Sequence, residues 1–317
     1  MLIIDAKAIP YWDRPVFEDM RAGGVSAVSI VCSIWEDFEQ SMRNMVRLKT
    51  FVKENSDILY LVRESGDLVR VREEAKTGII LSWQNSSGFN DHLPFIEVFA
   101  ELGLRIVQIS FLTANSASSG CYESVDRRLS DHGRDMVTRL NQCGIAIDIA
   151  HLKDETARDV IHASKKPVFY SQSSSRALRE NVRNKSDYDM RLVAAKGGVI
   201  ALAALPHYLP SGLNSTVDDM AAAIVYVMNV AGEEAVAVGT DLTPSQPRSF
   251  YDYVSHDKGN GRKLVDYSTI PVLPGVETFR DYPNIIRALE KLNVPTSKIE
   301  KVMGLNLLRY FTEVWNP

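Results

Sequence analysis

The 317-residue sequence predicts an α/β protein, a closed (β/α)8 barrel of the TIM-like class, in one domain over residues 1–317. Three observations predict it. Eight short runs rich in Val, Ile and Ala recur without polar alternation, as strands buried on both faces require. Longer amphipathic stretches with helix-type starts and glycine stops lie between them. No glycine-rich phosphate loop follows the first run, which disfavours an open doubly wound sheet.

Taken in order, the runs are "LIID" (2–5), "VSAVSIV" (25–31), "GIILS" (78–82), "RIVQIS" (105–110), "IAIDIA" (145–150), "PVFYS" (167–171), "GVIALAA" (198–204) and "AVAVGT" (235–240). "ILYLV" (58–62) is either a ninth strand or part of the excursion between the second and third runs. Among the helical patterns, "DHLPFIEVFAELG" (91–103) has apolar residues at helical spacing and stops on Gly103. "SDHGRDMVTRLNQCG" (130–144) starts on Ser/Asp and stops on Gly144, and 153–166 and 215–232 follow suit. Residues 244–282, rich in Pro, Gly, Tyr and charge, read as one long loop after the last strand. A loop of that length in a compact domain is either a functional lid or disordered. Tyr251, Tyr253, His256 and Tyr267 would be its contribution to a lid.

A formal charge of −4, a pI near 5.9 and interspersed charges argue against nucleic acid as a partner, because phosphate binding needs a clustered basic face. Cys32, Cys121 and Cys143 are widely spaced and odd in number, which predicts free thiols. The N-terminus lacks a basic segment and has an apolar run of only four residues, so neither a signal peptide nor a membrane span is expected. The expectation is a cytoplasmic protein with no membrane partner, and homodimerisation is compatible with the fold.

In a (β/α)8 barrel the chemistry sits at the carboxyl ends of the strands. The first run ends in Asp5, Ala6 and Lys7, the third in "SWQN" with Gln84 and Asn85, the fifth in "DIAH" with Asp148 and His151. The sixth ends in "SQSSSR" with Gln172, and the eighth in "GTD" with Asp241. A carboxylate leaving a buried strand is costly unless it is paired or at work, which singles out Asp241; Asp148, inside its run, reads as structural. Lys7 taken alone is a rim charge, Cys121 an inert small side chain, and the remaining histidines surface or core residues. Arg176, Arg179 and Arg183 form either a solvated basic face or a carboxylate clamp, since a guanidinium fork fits a carboxylate bidentately. HExxH, CxxC, GxSxG and Walker patterns are absent.

From about residue 2 to 311 the motifs resemble the renal (membrane) dipeptidase family of the amidohydrolase superfamily. The resemblance is carried by "SDHGRDMVTRLNQCGIAIDIAH", "KKPVFYSQSSSRAL", "VRNKSDYDMRLVAAKGGVIAL", "VAVGTDL" and "IEKVMGLNLLRYF". It implies a barrel hydrolase that holds two zinc ions through a His-x-Asp after the first strand, a bridging glutamate, two histidines and an aspartate. Against that set, Lys7 and Ile9 occupy the His-x-Asp places, Gln84 the bridging place and Gln172 the second histidine's; His151 and Asp241 match. An ammonium repels a cation and an amide bridges poorly, so the binuclear centre is not expected, and at most one divalent ion such as zinc at His151/Asp241. The resemblance also makes Arg183, followed by Asn184, the holder of a substrate carboxylate.

The resulting expectation is a dipeptidase-like enzyme acting on a small amino-acid- or dipeptide-like molecule. Asp241 would be general base, His151 its acid–base partner or orienter, and Lys7 an electrophilic stabiliser, with Arg183, Asn184, Gln84, Gln172 and Asn85 binding substrate. The reaction would be amide or C–N hydrolysis, or proton abstraction such as elimination. The alternatives are a conventional zinc dipeptidase with ligands drawn from Asp5, Asp13 or His92, and a catalytically silent ligand-binding homologue.

Overall fold

The computed structural model describes residues 1–316. All eight apolar runs form strands, and the ninth segment does too. The strands are β1 (Ile4–Ala8), β2 (Ala27–Ser33), β3 (Leu59–Leu61), β4 (Thr77–Trp83), β5 (Leu104–Gln108), β6 (Ala146–Asp148), β7 (Phe169–Ser173), β8 (Val199–Leu202) and β9 (Val236–Val238). Their order is β1-β2-β4-β5-β6-β7-β8-β9, all parallel. β3 stays off the ring: one edge of β4 pairs with β3 at Thr77–Ile79 and with β5 from Leu81 onward.

Helices ring the strands: α1 (Arg14–Ala22), α2 (Phe38–Glu54), α3 (Ser65–Glu73), α4 (Phe95–Glu101), α5 (Asp131–Gln142), α6 (Asp154–Ala163), α7 (Asp187–Ala195), α8 (Val217–Ala231), α9 (Arg248–Ser255), α10 (Tyr282–Lys291), α11 (Thr296–Glu300) and α12 (Asn306–Val314). Their starts follow the expected capping chemistry: the Ser130 side chain accepts from Gly133 N, and Thr216 and Asp219 form a capping box on α8. α4 begins at Phe95, later than the pattern, because Pro94 disfavours helical backbone at Leu93. Ile4, Ala6, Ile80, Ile106, Phe169 and Ala237 form one apolar cluster with Tyr310 and Phe311 of α12, which plugs the end of the barrel opposite the site. No helix among the described residues is long and apolar enough to cross a membrane.

A seam beyond β9 closes the ring. Asp241 N donates to Lys7 O at 2.8 Å, Ile9 N to Leu242 O at 2.9 Å, and Ala8 bridges Leu242 in parallel. Thr240 donates to both carboxylate oxygens of Asp5, N to Oδ1 at 2.9 Å and Oγ1 to Oδ2 at 2.5 Å, so a buried acid ties the first strand to the last. Gly239 permits the approach: a Cβ there would lie 1.8 Å from Ser171 O.

The reading of residues 244–282 as one unstructured loop needs correcting. The segment contains α9 and short turns at 257–259, 267–269 and 279–281. Phe250 and Val254, four residues apart, face the same way on α9, and Val254 packs with Ile9, Val31, Ile34 and Phe111. Thr113 Oγ1 donates to Asp257 Oδ1 at 2.7 Å, which anchors the chain just after α9, and Tyr267 N donates to Ser255 Oγ at 3.1 Å, which folds the following turn back onto the helix end.

Candidate active site

A cavity of about 410 Å³ opens at the carboxyl ends of the strands. Its strand-end side carries Gln84, His151 and Asp241; its other walls come from Phe111, the β1–β9 seam and the segment after β9. Three of the predicted residues therefore meet at one surface, although they lie far apart in the chain.

Asp241 is held by the seam. Its backbone sits in the left-handed region, φ 57°, which turns the side chain away from the strand direction toward the cavity. Its Oδ1 is buried without a partner. Burial pushes the carboxyl up to about 6, opposed by the charges of Lys7 and Arg183 and assisted by Asp148. His151 stands between two amides: Gln172 Nε2 is 3.1 Å and Gln84 Nε2 3.3 Å from its Nε2. With amide donors on that nitrogen, Nε2 accepts and Nδ1 carries the proton, and Nδ1 meets no protein partner. Burial holds the imidazole well below its ordinary range, and the nearby Arg183, Lys7 and Lys185 add to this, so the ring is neutral. Phe111 covers its face at 4.6 Å between centroids.

Lys7 is fully buried and absent from the cavity wall. Its Nζ lies 3.7 Å from Asp148 Oδ2, an ion pair beyond hydrogen-bond reach. Asp148 in turn accepts from Ala150 N at 3.0 Å, Ser171 N at 3.2 Å and Ser171 Oγ at 2.5 Å, which bears out its structural reading. Burial lowers the pKa of Lys7, countered by Asp148 and Asp241. Direct contact of Lys7 with a substrate is therefore corrected: it acts on Asp241 through space.

Arg183 is fully buried, donates from Nη1 to Ala150 O and from Nη2 to Gln172 O at 3.4 Å, and packs over the Tyr208 ring at 5.7 Å. Its Nε has no partner, no carboxylate among the described residues lies within ion-pair distance, and like Lys7 it lies behind the cavity wall. Arg176, by contrast, forms a two-point pair with Asp154 at 2.7 and 2.9 Å. Two expected binding residues are corrected. Asn184 Nδ2 donates to Ser175, Arg179 and Tyr208 carbonyls, and Asn85 Oδ1 accepts from Ser86 N and Asn115 Nδ2. Both fasten loops, and neither lines the cavity. Gln172 likewise serves His151, off the wall.

The proposed alternative ligands do not assemble. Asp5 is committed to Thr240 and to Lys7 N, while Asp13 and His92 are exposed and off the cavity. Among the described residues no group of three or more His, Cys, Asp or Glu side chains is placed to hold a metal ion. Cys121 is buried, and burial raises its thiol pKa, as an inert residue. Of the aromatic residues after β9, Tyr251 and Tyr267 line the cavity; Tyr253 OH accepts from Trp35 N, and His256 is turned to the Asp252 carbonyl. Phe111, Arg248 and Ile270 were not predicted. Only Phe111 had a signal, directly following the fourth apolar run.

The profile of the membrane dipeptidase family (peptidase family M19) matches residues 16–256. The chain belongs to the membrane dipeptidase family. This bears out the resemblance read from the strand ends. An uncharacterized dipeptidase of Schizosaccharomyces pombe is 27% identical over 267 residues, 81% of this chain and 58% of that protein. The chain thus spans little more than half the length of that membrane dipeptidase relative. Among solved structures, an amidohydrolase from Pseudomonas aeruginosa is 38% identical with a TM-score of 0.97, covering 100% of this chain and 97% of that one. A probable dipeptidase from the same organism, 19% identical with a TM-score of 0.84 over 99% and 96% of the two chains, shares the fold.

Proposed function

We propose that this membrane dipeptidase family member hydrolyses an amide bond in a small amino-acid- or dipeptide-like substrate whose carboxylate is attracted by the charge of Arg183 behind the cavity wall, without a binuclear zinc centre. The observation that carries the reading is Arg183 itself: a fully buried cation with an unpartnered Nε and no carboxylate beside it. Such a charge is costly in isolation, and an anionic ligand relieves that cost. The relatives named as dipeptidases support the reaction class.

Two zinc ions do not fit these residues. An ammonium at Lys7 stands in a ligand's place, Gln84 offers no charge to bridge two cations, and Gln172 puts an amide where a second imidazole would stand. No step is therefore routed through a metal. Asp241, with its carboxyl pushed up to about 6, takes a proton from an attacking water at neutral pH and returns it to the leaving amine. The water oxygen forms the new bond to the carbonyl carbon as the C–N bond breaks. The Gln84 amide and the Nδ1–H of neutral His151 are the donors available to the developing oxyanion. Lys7, below the surface, favours the ionised form of Asp241 against the effect of burial.

The test is peptide hydrolysis with elemental analysis on the same sample. Turnover that survives chelation, with less than one zinc per chain, is expected. Two stoichiometric zinc ions overturn the metal-free half of the proposal, and equal turnover of peptides with free and amidated carboxyl ends overturns the Arg183 half.

A further inference from the structure

We propose that the segment after β9 builds a side-chain subsite, and that the substrate carries a bulky apolar group next to the bond that is cut. This rests on the hydrolytic reading above and sharpens it to a substrate class. The cavity is mixed in chemistry. Besides Gln84, His151 and Asp241, the lining includes a group of apolar side chains, Ile9, Phe250, Val254, Ile270 and Leu273, with the hydroxyls of Tyr251 and Tyr267 as the polar exceptions from the segment's aromatic residues. The charged side chains that this segment brings to the cavity, Arg248 and Glu277, are both exposed.

The apolar wall is preformed. Val254 is buried in a cluster with Phe111 and Ile34, Leu273 lies in the main core, and α9 is tied to β2's loop by the bond from Trp35 N to Tyr253 OH at 3.2 Å. A side chain entering it exchanges water for apolar contact, which favours binding by roughly fourfold per buried methylene. A charged side chain meets only the exposed, hydrated Arg248 and Glu277 and loses its hydration against the apolar residues, so it is disfavoured. Glycine leaves the space unfilled.

The experiment uses the whole chain and a panel of dipeptides: Gly-Gly, Leu-Gly, Gly-Leu, Phe-Gly, Gly-Phe, Lys-Gly and Gly-Lys. In one of the two positions, Leu and Phe are expected to raise kcat/KM over Gly roughly ten- to a hundredfold, with Lys at or below Gly. Ile270→Ser and Phe250→Ala should each reduce that preference, read as the ratio of Leu- or Phe-peptide to Gly-Gly kcat/KM, at least about fivefold. The same panel, titrated calorimetrically into Asp241→Asn, reads binding without turnover. Apolar peptides binding tighter while wild type hydrolyses none overturns the hydrolytic reading and leaves the subsite standing. A flat panel, a preference for Lys, or no binding at all overturns the subsite.

Discussion

At the residue scale, the site is a set of buried charges whose partners were not chosen for stability alone. Arg183 has main-chain carbonyls and an aromatic face but no carboxylate. Arg183→Met is expected to raise KM for free-carboxylate dipeptides several-fold, the worth of one charge acting through the cavity wall without a hydrogen bond, and to leave amidated peptides nearly unchanged. Steady-state kinetics on the two series reads the difference. Asp241→Asn should lower kcat by a factor on the order of 10² to 10⁴ with the melting temperature held, as loss of a general base does. Lys185 supplies a prediction away from the chemistry. It is buried, donates to Leu152 O at 3.0 Å and lies over the Tyr170 ring, and burial lowers its pKa to about 8. The unfolded chain holds this proton up to about pH 10.5, so it binds more protons than the folded chain between pH 8 and 10.5. Stability attributable to Lys185 therefore rises with pH across that window, by about 3 kcal/mol. Comparing urea midpoints of wild type and Lys185→Met across that range should show the rise in wild type alone.

At the element scale, the decisive piece is the seam from Gly239 to Leu242. It closes the barrel, aims Asp241 and anchors Asp5 in one short stretch. Gly239→Ala places a methyl against Ser171 O and Ala201, where neither neighbour is a flexible side-chain end. A loss of about 1–3 kcal/mol, measured by denaturant unfolding, is expected from such overpacking. α9 is the second element that matters. The Pro, Gly and charge of 244–282 made it read as loop and hid the apolar pair Phe250 and Val254, four residues apart. What makes it a helix is its tertiary partner, the Ile9–Val31–Phe111 cluster, since a helix of eight residues does not hold alone in water.

At the scale of the whole molecule, the barrel brings residues from positions 84, 151 and 241 onto one cavity. Closure across Asp5 and Thr240 is what makes them converge. Asp5→Ala leaves Thr240 N, Thr240 Oγ1 and Lys7 N without their acceptor in a buried setting. An overall loss of about 2–4 kcal/mol in thermal or denaturant unfolding should follow.

The sequence by itself determined the eight parallel strands, because strands buried on both faces must be continuously apolar, and it determined the family through the polar residues ending those strands. It also put Lys7, Gln84 and Gln172 at strand ends, which is a matter of residue identity at named positions. Only the tertiary structure decided that Lys7 sits beneath the cavity, paired with Asp148, that Asn85 and Asn184 fasten loops, and that Arg183 lacks a counter-ion. Those are facts about which polar groups meet inside a low-dielectric interior. Spacing along a chain cannot supply them, because the partners lie tens of residues apart and the geometry of closure chooses among them.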